Sequence, residues 1–186
     1  GADFKGKTSR PIDFPGQIRD KFPALVARLD ERPDDRALYA KVAEILPEKL
    51  EAAYAAGVPY GPIHGDVHVR NVFVTPDDNF TILDFDTCGE SHLMHDCMSP
   101  AWANTFFIRN GNNKITPQTT EAYMHGYEAV RPLEDFERAC LPLFMLSKEF
   151  SYMCGMSDGV NVVGHMSFGP HHFDWFAQSV RHHVEE

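Results

Sequence analysis

Two short segments hold the side chains best able to do chemistry: Ile63-His64-Gly65-Asp66-Val67-His68-Val69-Arg70-Asn71 and Ile82-Leu83-Asp84-Phe85-Asp86. The first sets a carboxylate, Asp66, and an amide, Asn71, in the frame H-G-D-x-x-x-x-N. The second adds the carboxylates of Asp84 and Asp86. Between them lie Val72-Phe73-Val74-Thr75 and Phe80-Thr81-Ile82-Leu83, rich in β-branched and aromatic residues and split by Pro76-Asp77-Asp78-Asn79. That pattern predicts a β-hairpin. A hairpin returns the chain to its starting point, so Asn71 before it and Asp84 after it come to lie side by side. Oxygen donors placed this way suit a hard cation such as magnesium, which takes one or two protein groups along with phosphate oxygens and water. Asp84 also follows Ile82-Leu83 and precedes Phe85, which reads as the end of a buried strand. A carboxylate there needs a partner or a metal.

A second reading starts from the histidines. His64-x-Asp66-x-His68 has the look of a metallohydrolase site, and a zinc ion would require further ligands, for which His92, His95 and Asp96 are the candidates. That alternative, a zinc-dependent hydrolase, gives Asn71 and Asp84 nothing to do.

The first segment shares its frame with the H-R-D-x-x-x-x-N catalytic loop of protein kinases, where the Asp sits beside the hydroxyl to be phosphorylated and the Asn holds magnesium. Taken together, His64-Gly65-Asp66-x-His68-x-x-Asn71, the hairpin and Asp84-Phe85-Asp86 resemble the signature of the aminoglycoside phosphotransferase and choline kinase-like superfamily. Gly65 and His68, where protein kinases carry Arg and Lys, favour this branch. Gly89-Glu90-Ser91-His92-Leu93-Met94-His95-Asp96 is similar to the family's G-D-P-x-x-x-D segment; it departs at Glu90, Ser91 and His92 and keeps Asp96. The resemblance covers residues 60 to 98.

The resemblance implies a protein-kinase-like fold and ATP-dependent transfer of a phosphoryl group to a hydroxyl of a small molecule: an aminoglycoside, an amino-alcohol or a hydroxy-amino acid. It implies Asp66 as the catalytic base, Asn71 and Asp84 as Mg2+ ligands, and His68 and Asp86 at the cofactor. His64 and Asp96 are then structural supports, with Asp96 tying the loop to the following helix. ATP is the expected nucleotide, GTP serving some members. Arg70 stands where the family has a small residue, and is read as facing solvent or a phosphate.

The elements that must position these groups are mostly helical. Ile18, Phe22, Leu25, Val26 and Leu29 share one helix face, and Leu38, Val42, Ile45, Leu46, Leu50 and Ala53 mark a second helix to Ala56, with Pro47 predicted to kink it. Gly57-Val58-Pro59-Tyr60-Gly61-Pro62 reads as a break into the loop. Later helices are predicted at 92–109, 117–130, 133–154 and 171–184, the third carrying a buried row from Phe136 to Met153. Asn110-Gly111-Asn112-Asn113 reads as a loop. The fold class is therefore α+β, mostly α: a small hairpin on a helical bundle, with 1–15 an irregular lead-in and 16–186 a single lobe. The opening has no glycine-rich phosphate loop and no run of strands. The chain thus reads as the C-terminal lobe of such a kinase, with the N-terminal nucleotide-binding lobe absent. A further alternative follows, that of a non-catalytic kinase-like module kept for binding.

Bulk properties narrow the classes. The apolar share of 43% and aromatic share of 12% are those of a globular protein. A net charge of −10 speaks against a nucleic-acid partner, whose affinity rests on Lys and Arg. No apolar run reaches the length of a membrane span. Cys88, Cys97, Cys140 and Cys154 are scattered without a C-x-x-C pair, which fits a reduced, cytoplasmic protein. The partners expected are a nucleotide and a small-molecule acceptor, with self-association left open. Glu121, Glu128, Glu134 and Asp135 are candidates for an acceptor pocket, though charged surface is the plainer reading. The same holds for His165, His171, His172, His182 and His183 as an exposed face, and for Met145, Met153, Met156 and Met166 as core filling.

Overall fold

The computed structural model describes residues 10–109, 116–163 and 170–185. The Asn110–Asn113 loop, the first nine residues of the lead-in, Met166 and the side chains of the five histidines near the end lie outside the described residues. The chain divides into two compact units, one of residues 1–12 and 57–141, the other of 13–56 and 142–186. Among the described residues no helix is long and apolar enough to cross a membrane.

Among the described residues the elements of the second unit are helices: α1 (Phe14–Val26), α2 (Pro33–Ala55), α6 (Leu141–Val163) and α7 (Pro170–Glu185). Asp13 caps α1 by accepting from the Gly16 N–H, and Pro15 sits in its first turn, where a missing N–H costs nothing. Pro33 opens α2 for the same reason, and α2 continues through Pro47. Ile18, Leu25, Tyr39, Leu50, Phe144, Phe150 and Phe176 are buried. Phe150 stacks on Phe22 at 6.1 Å and meets Tyr39 edge-on at 6.2 Å.

The first unit holds every proposed site residue. Its strands are β1 (Tyr60–Ile63), β2 (Val72–Val74), β3 (Phe80–Ile82) and β4 (Gly89–His92), and its helices α3 (Met94–Arg109), α4 (Pro117–Val130) and α5 (Asp135–Ala139). β2 and β3 form the predicted hairpin, in register Val72↔Ile82 and Val74↔Phe80. Its turn closes through Thr75, whose hydroxyl donates to Asp77 and whose N–H donates to the Asn79 carbonyl, with Asp78 at φ 60°. β1 and β4 pair antiparallel, Tyr60↔His92 to Ile63↔Gly89, and the stretch 10–12 bonds along the other side of Glu90. This second pair departs from the predicted break at 57–62 and helix start at 92. Gly61 and Pro62 look like punctuation locally, yet they pair with residues 28 or more positions later, a contact that no local pattern announces.

Two further differences have local causes. The helix expected over 133–154 is two, α5 and α6, because Cys140 closes α5 and Pro142 cannot continue its hydrogen-bond ladder but fits a new first turn. Phe136, expected in a buried row, is 39% exposed. The buried strand expected before Asp84 is likewise exposed: Phe80 is 70%, Ile82 48% and Phe85 55% accessible, and Asp84 itself is exposed. Alternation puts Phe73 and Thr81 on one face of the hairpin and the other members on the opposite face, so a two-stranded ribbon must be covered on both sides to bury all of them.

Candidate functional site

β1 delivers the chain to His64, and Asp96 in the first turn of α3 catches it there. Its carboxylate accepts the His64 N–H at 2.6 Å and the Gly65 N–H at 2.8 Å, two consecutive donors at the start of the loop. The Tyr123 hydroxyl on α4 donates to the Asp96 carbonyl at 3.4 Å, and burial raises the pKa of that phenol. Gly65 has φ +85°, and a Cβ there would lie 2.6 Å from the Thr87 carbonyl oxygen. The Thr87 hydroxyl also donates to the His64 carbonyl. The turn therefore demands glycine on two counts. Gly65→Ala is expected to destabilise the folded chain by about 2–4 kcal/mol, from left-handed strain plus the clash. Gly126→Ala, in α4 with nothing within 4 Å of its Cβ, is expected to be neutral or stabilising by up to ~1 kcal/mol. Urea denaturation of both variants measures the contrast, and equal effects would refute it.

His64 is buried and both ring nitrogens are engaged. Nε2 donates to the Leu83 carbonyl at 2.8 Å, and Nδ1 accepts from the Asp66 N–H at 3.3 Å. The ring also lies 4.5 Å from Phe85. One imidazole thus pins the catalytic-loop segment to the chain just before Asp84. His68 is engaged as well: Nδ1 accepts from the Arg70 N–H at 3.2 Å, and Nε2 stands 3.3 Å from Asp66 Oδ2. A zinc site would need these nitrogens free. Among the described residues no three His, Cys, Asp or Glu side chains gather as metal ligands, and His92 packs edge-on to Tyr60, where burial lowers its pKa. These contacts overturn the zinc-ligand reading of His64 and His68.

Asn71 closes a 3-10 turn, Val69–Asn71, and is 8% exposed. Its Nδ2 donates to the Asp66 carbonyl at 3.0 Å, so Oδ1 is the atom with lone pairs to offer a cation. The Asn71 carbonyl accepts the Leu83 N–H at 2.9 Å, which extends the hairpin ladder and sets Asn71 across from the residue before Asp84. Asp84 sits at φ 65°, an uncommon conformation for a residue with a Cβ, and its carboxylate is exposed. Asp86, also exposed, receives the Arg10 guanidinium on its carbonyl oxygen at 2.6 Å. The backbone therefore sets Asn71 and Asp84 at the mouth of one hairpin, and the Asp66 carboxylate lies 3.3 Å from His68 Nε2. That donor set is all oxygen and fits a hard divalent cation.

Sequence reasoning missed Thr87, which neither periodicity nor spacing marks, and Phe107 on α3, whose ring meets both His68 and Arg70. Of the four acids considered for an acceptor pocket, Glu128 pairs with Arg138, and Glu134 and Asp135 begin α5. A pocket of about 310 Å³ opens beside the loop, lined mostly by apolar groups such as Val72, Val74 and Phe80, with His68 and Asn104.

The family model APH, the phosphotransferase enzyme family, matches residues 7–140. A homoserine kinase of Xanthobacter autotrophicus is 33% identical over 148 residues, 76% of this chain and 42% of that protein. The chain spans less than half the length of the curated relatives it matches. Among solved structures, choline kinase LicA from Streptococcus pneumoniae superposes with a TM-score of 0.71 at 11% identity, covering 98% of this chain and 58% of that one. Amicoumacin kinase hAmiN, solved with AMP-PNP, Ca2+ and Ami, gives 0.60 at 16% identity, covering 96% and 62%. At such identities the likeness establishes the fold.

Proposed function

The chain belongs to the phosphotransferase enzyme family, and on that premise we propose that it is the catalytic lobe of an ATP- and Mg2+-dependent phosphotransferase acting on a small-molecule hydroxyl. The observation that carries the reading is the convergence of Asp66, Asn71 and Asp84 on the two ends of one hairpin, with both histidines of the loop committed to holding it. Asn71 Oδ1 and the Asp84 carboxylate would hold the magnesium. The bound ion would neutralise the phosphate oxygens and align them for transfer. Asp66 orients the acceptor hydroxyl and takes its proton as that oxygen bonds to the γ-phosphorus of ATP and the bond from this phosphorus to the departing ADP breaks. Asp86 stays at the rim as a cofactor-side carboxylate, and His64 and Asp96 keep the loop in register with β3 and α3. The N-terminal nucleotide-binding lobe would be supplied by sequence beyond this chain, and a cytoplasmic setting fits an ATP-using enzyme with free cysteines.

The acceptor most worth testing first is homoserine, the substrate in the relative's name, followed by choline, named in the choline kinase structure, and other small amino-alcohols. Calorimetric titration of the protein that carries this chain with ATP is expected to show binding only when Mg2+ is present, and a coupled assay is expected to show turnover with one of these alcohols. Mg2+-independent binding together with no turnover on any of them would favour the non-catalytic module.

A further inference from the structure

Arg70 has no place in the proposed chemistry, yet it is held. Its guanidinium carbon lies 4.3 Å from the centroid of the Phe107 ring, over the ring's face. The same ring meets His68 edge-on, with centroids 5.6 Å apart and planes at 90°. Phe107 is 7% exposed, and Phe106 stands 5.8 Å away at 79° to it. A buried aromatic on α3 thus touches two of the four residues that separate Asp66 from Asn71.

We propose that Phe107 is a positioning residue for phosphoryl transfer: it fixes the plane of His68, and through His68 Nε2 it holds the carboxylate of Asp66. The inference rests on Asp66 being the group that receives the hydroxyl proton. An aspartate on a partly exposed loop has two free side-chain torsions, and its side chain here is 34% accessible. His68 Nε2, 3.3 Å from Oδ2, restricts the orientation of that carboxylate. That works only if the ring offers a hydrogen at Nε2 and faces the right way. The Arg70 N–H on Nδ1 selects the Nε2–H tautomer. The Phe107 edge contact blocks rotation of the ring, and the Arg70 side chain, drawn onto the Phe107 face, keeps its own backbone N–H on Nδ1.

The test uses the protein that carries this chain, labelled with 15N-histidine, with the His68 ring signals assigned through His68→Gln. The wild type and Phe107→Tyr should each show one protonated Nε2 and one bare Nδ1. Phe107→Leu should give averaged ring signals with a melting temperature close to wild type. Should Phe107→Leu fail to fold, Arg70→Ala, an exposed change, supplies the same comparison. With Mg2+, ATP and homoserine as the probe acceptor, Phe107→Leu should lower kcat about 10- to 100-fold while KM for ATP stays within about threefold, and Phe107→Tyr should restore it. In the Asp66→Asn background Phe107→Leu should cost nothing more. The proposal is overturned if the His68 signals of the Leu variant match wild type, or if its loss persists in the Asp66→Asn background. Full turnover by Asp66→Asn alone would instead remove Asp66 as the proton acceptor, and the ring signals would still decide the brace.

Discussion

Asp84→Asn is expected to lower turnover by about a thousandfold, equivalent to ~4 kcal/mol in the barrier, and to abolish Mg2+-dependent nucleotide binding. This substitution isolates the charge. Asp84 sits at φ 65°, and Asn tolerates the left-handed region as well as Asp does, so the backbone has no reason to move. The carboxylate is exposed, so an amide there leaves no buried charge unpaired. Asp84→Ala would confound the result, since it adds left-handed strain to the loss of the ligand. Stability by urea denaturation should therefore be unchanged to within about 0.5 kcal/mol in the Asn variant while calorimetry shows no magnesium-coupled binding. A variant that still binds ATP with wild-type magnesium dependence would remove Asp84 from the metal site.

Asp66→Asn is expected to reduce kcat by roughly 10²–10⁴-fold with KM for ATP nearly unchanged, the range for loss of a positioned proton acceptor. Here too the fold should persist. The contacts that Asp66 makes through its backbone, its N–H on His64 Nδ1 and its carbonyl under Asn71 Nδ2, survive the change. The amide is the same size as the carboxylate and keeps its place beside His68 Nε2, which is 3.3 Å from Oδ2. What disappears is the basicity. Steady-state kinetics over a range of ATP and acceptor concentrations separates the two parameters. A raised KM with intact kcat would make Asp66 a binding group and leave the proton to another residue. Unaltered kinetics in both Asp66→Asn and Asp84→Asn would move the proton acceptor and the metal ligand to other residues.

Much of the site was legible because its logic is local. Turn chemistry at Pro76–Asn79 and two β-branched runs were enough to predict the hairpin, and a hairpin necessarily brings its ends together. The α4 helix, 117–130, was readable for a similar reason: Thr116 and Pro117 open it and Pro132 follows it. Four things were not. The β1–β4 pair joins segments far apart in sequence, and Gly61 and Pro62 disguise the first of them. The α5–α6 break turns on how one Pro is used. Thr87 and Phe107 act through contacts that depend on where a strand end and a helix face arrive. The exposure of the hairpin, finally, depends on what packs against it, and apolar residue types are the same whether or not a covering layer is present.

The sequence by itself determined the chemical inventory: which carboxylates, amides and imidazoles occur, and which hairpin joins Asn71 to Asp84. Backbone preferences acting over a few residues suffice for that. The tertiary structure decided what each group is free to do. It took both nitrogens of His64, turned His68 toward Asp66, bound the loop's first N–H groups to Asp96, and left the Asp84 carboxylate exposed. Those outcomes rest on hydrogen bonds and packing between segments distant in the chain, and their geometry exists only once the chain has folded.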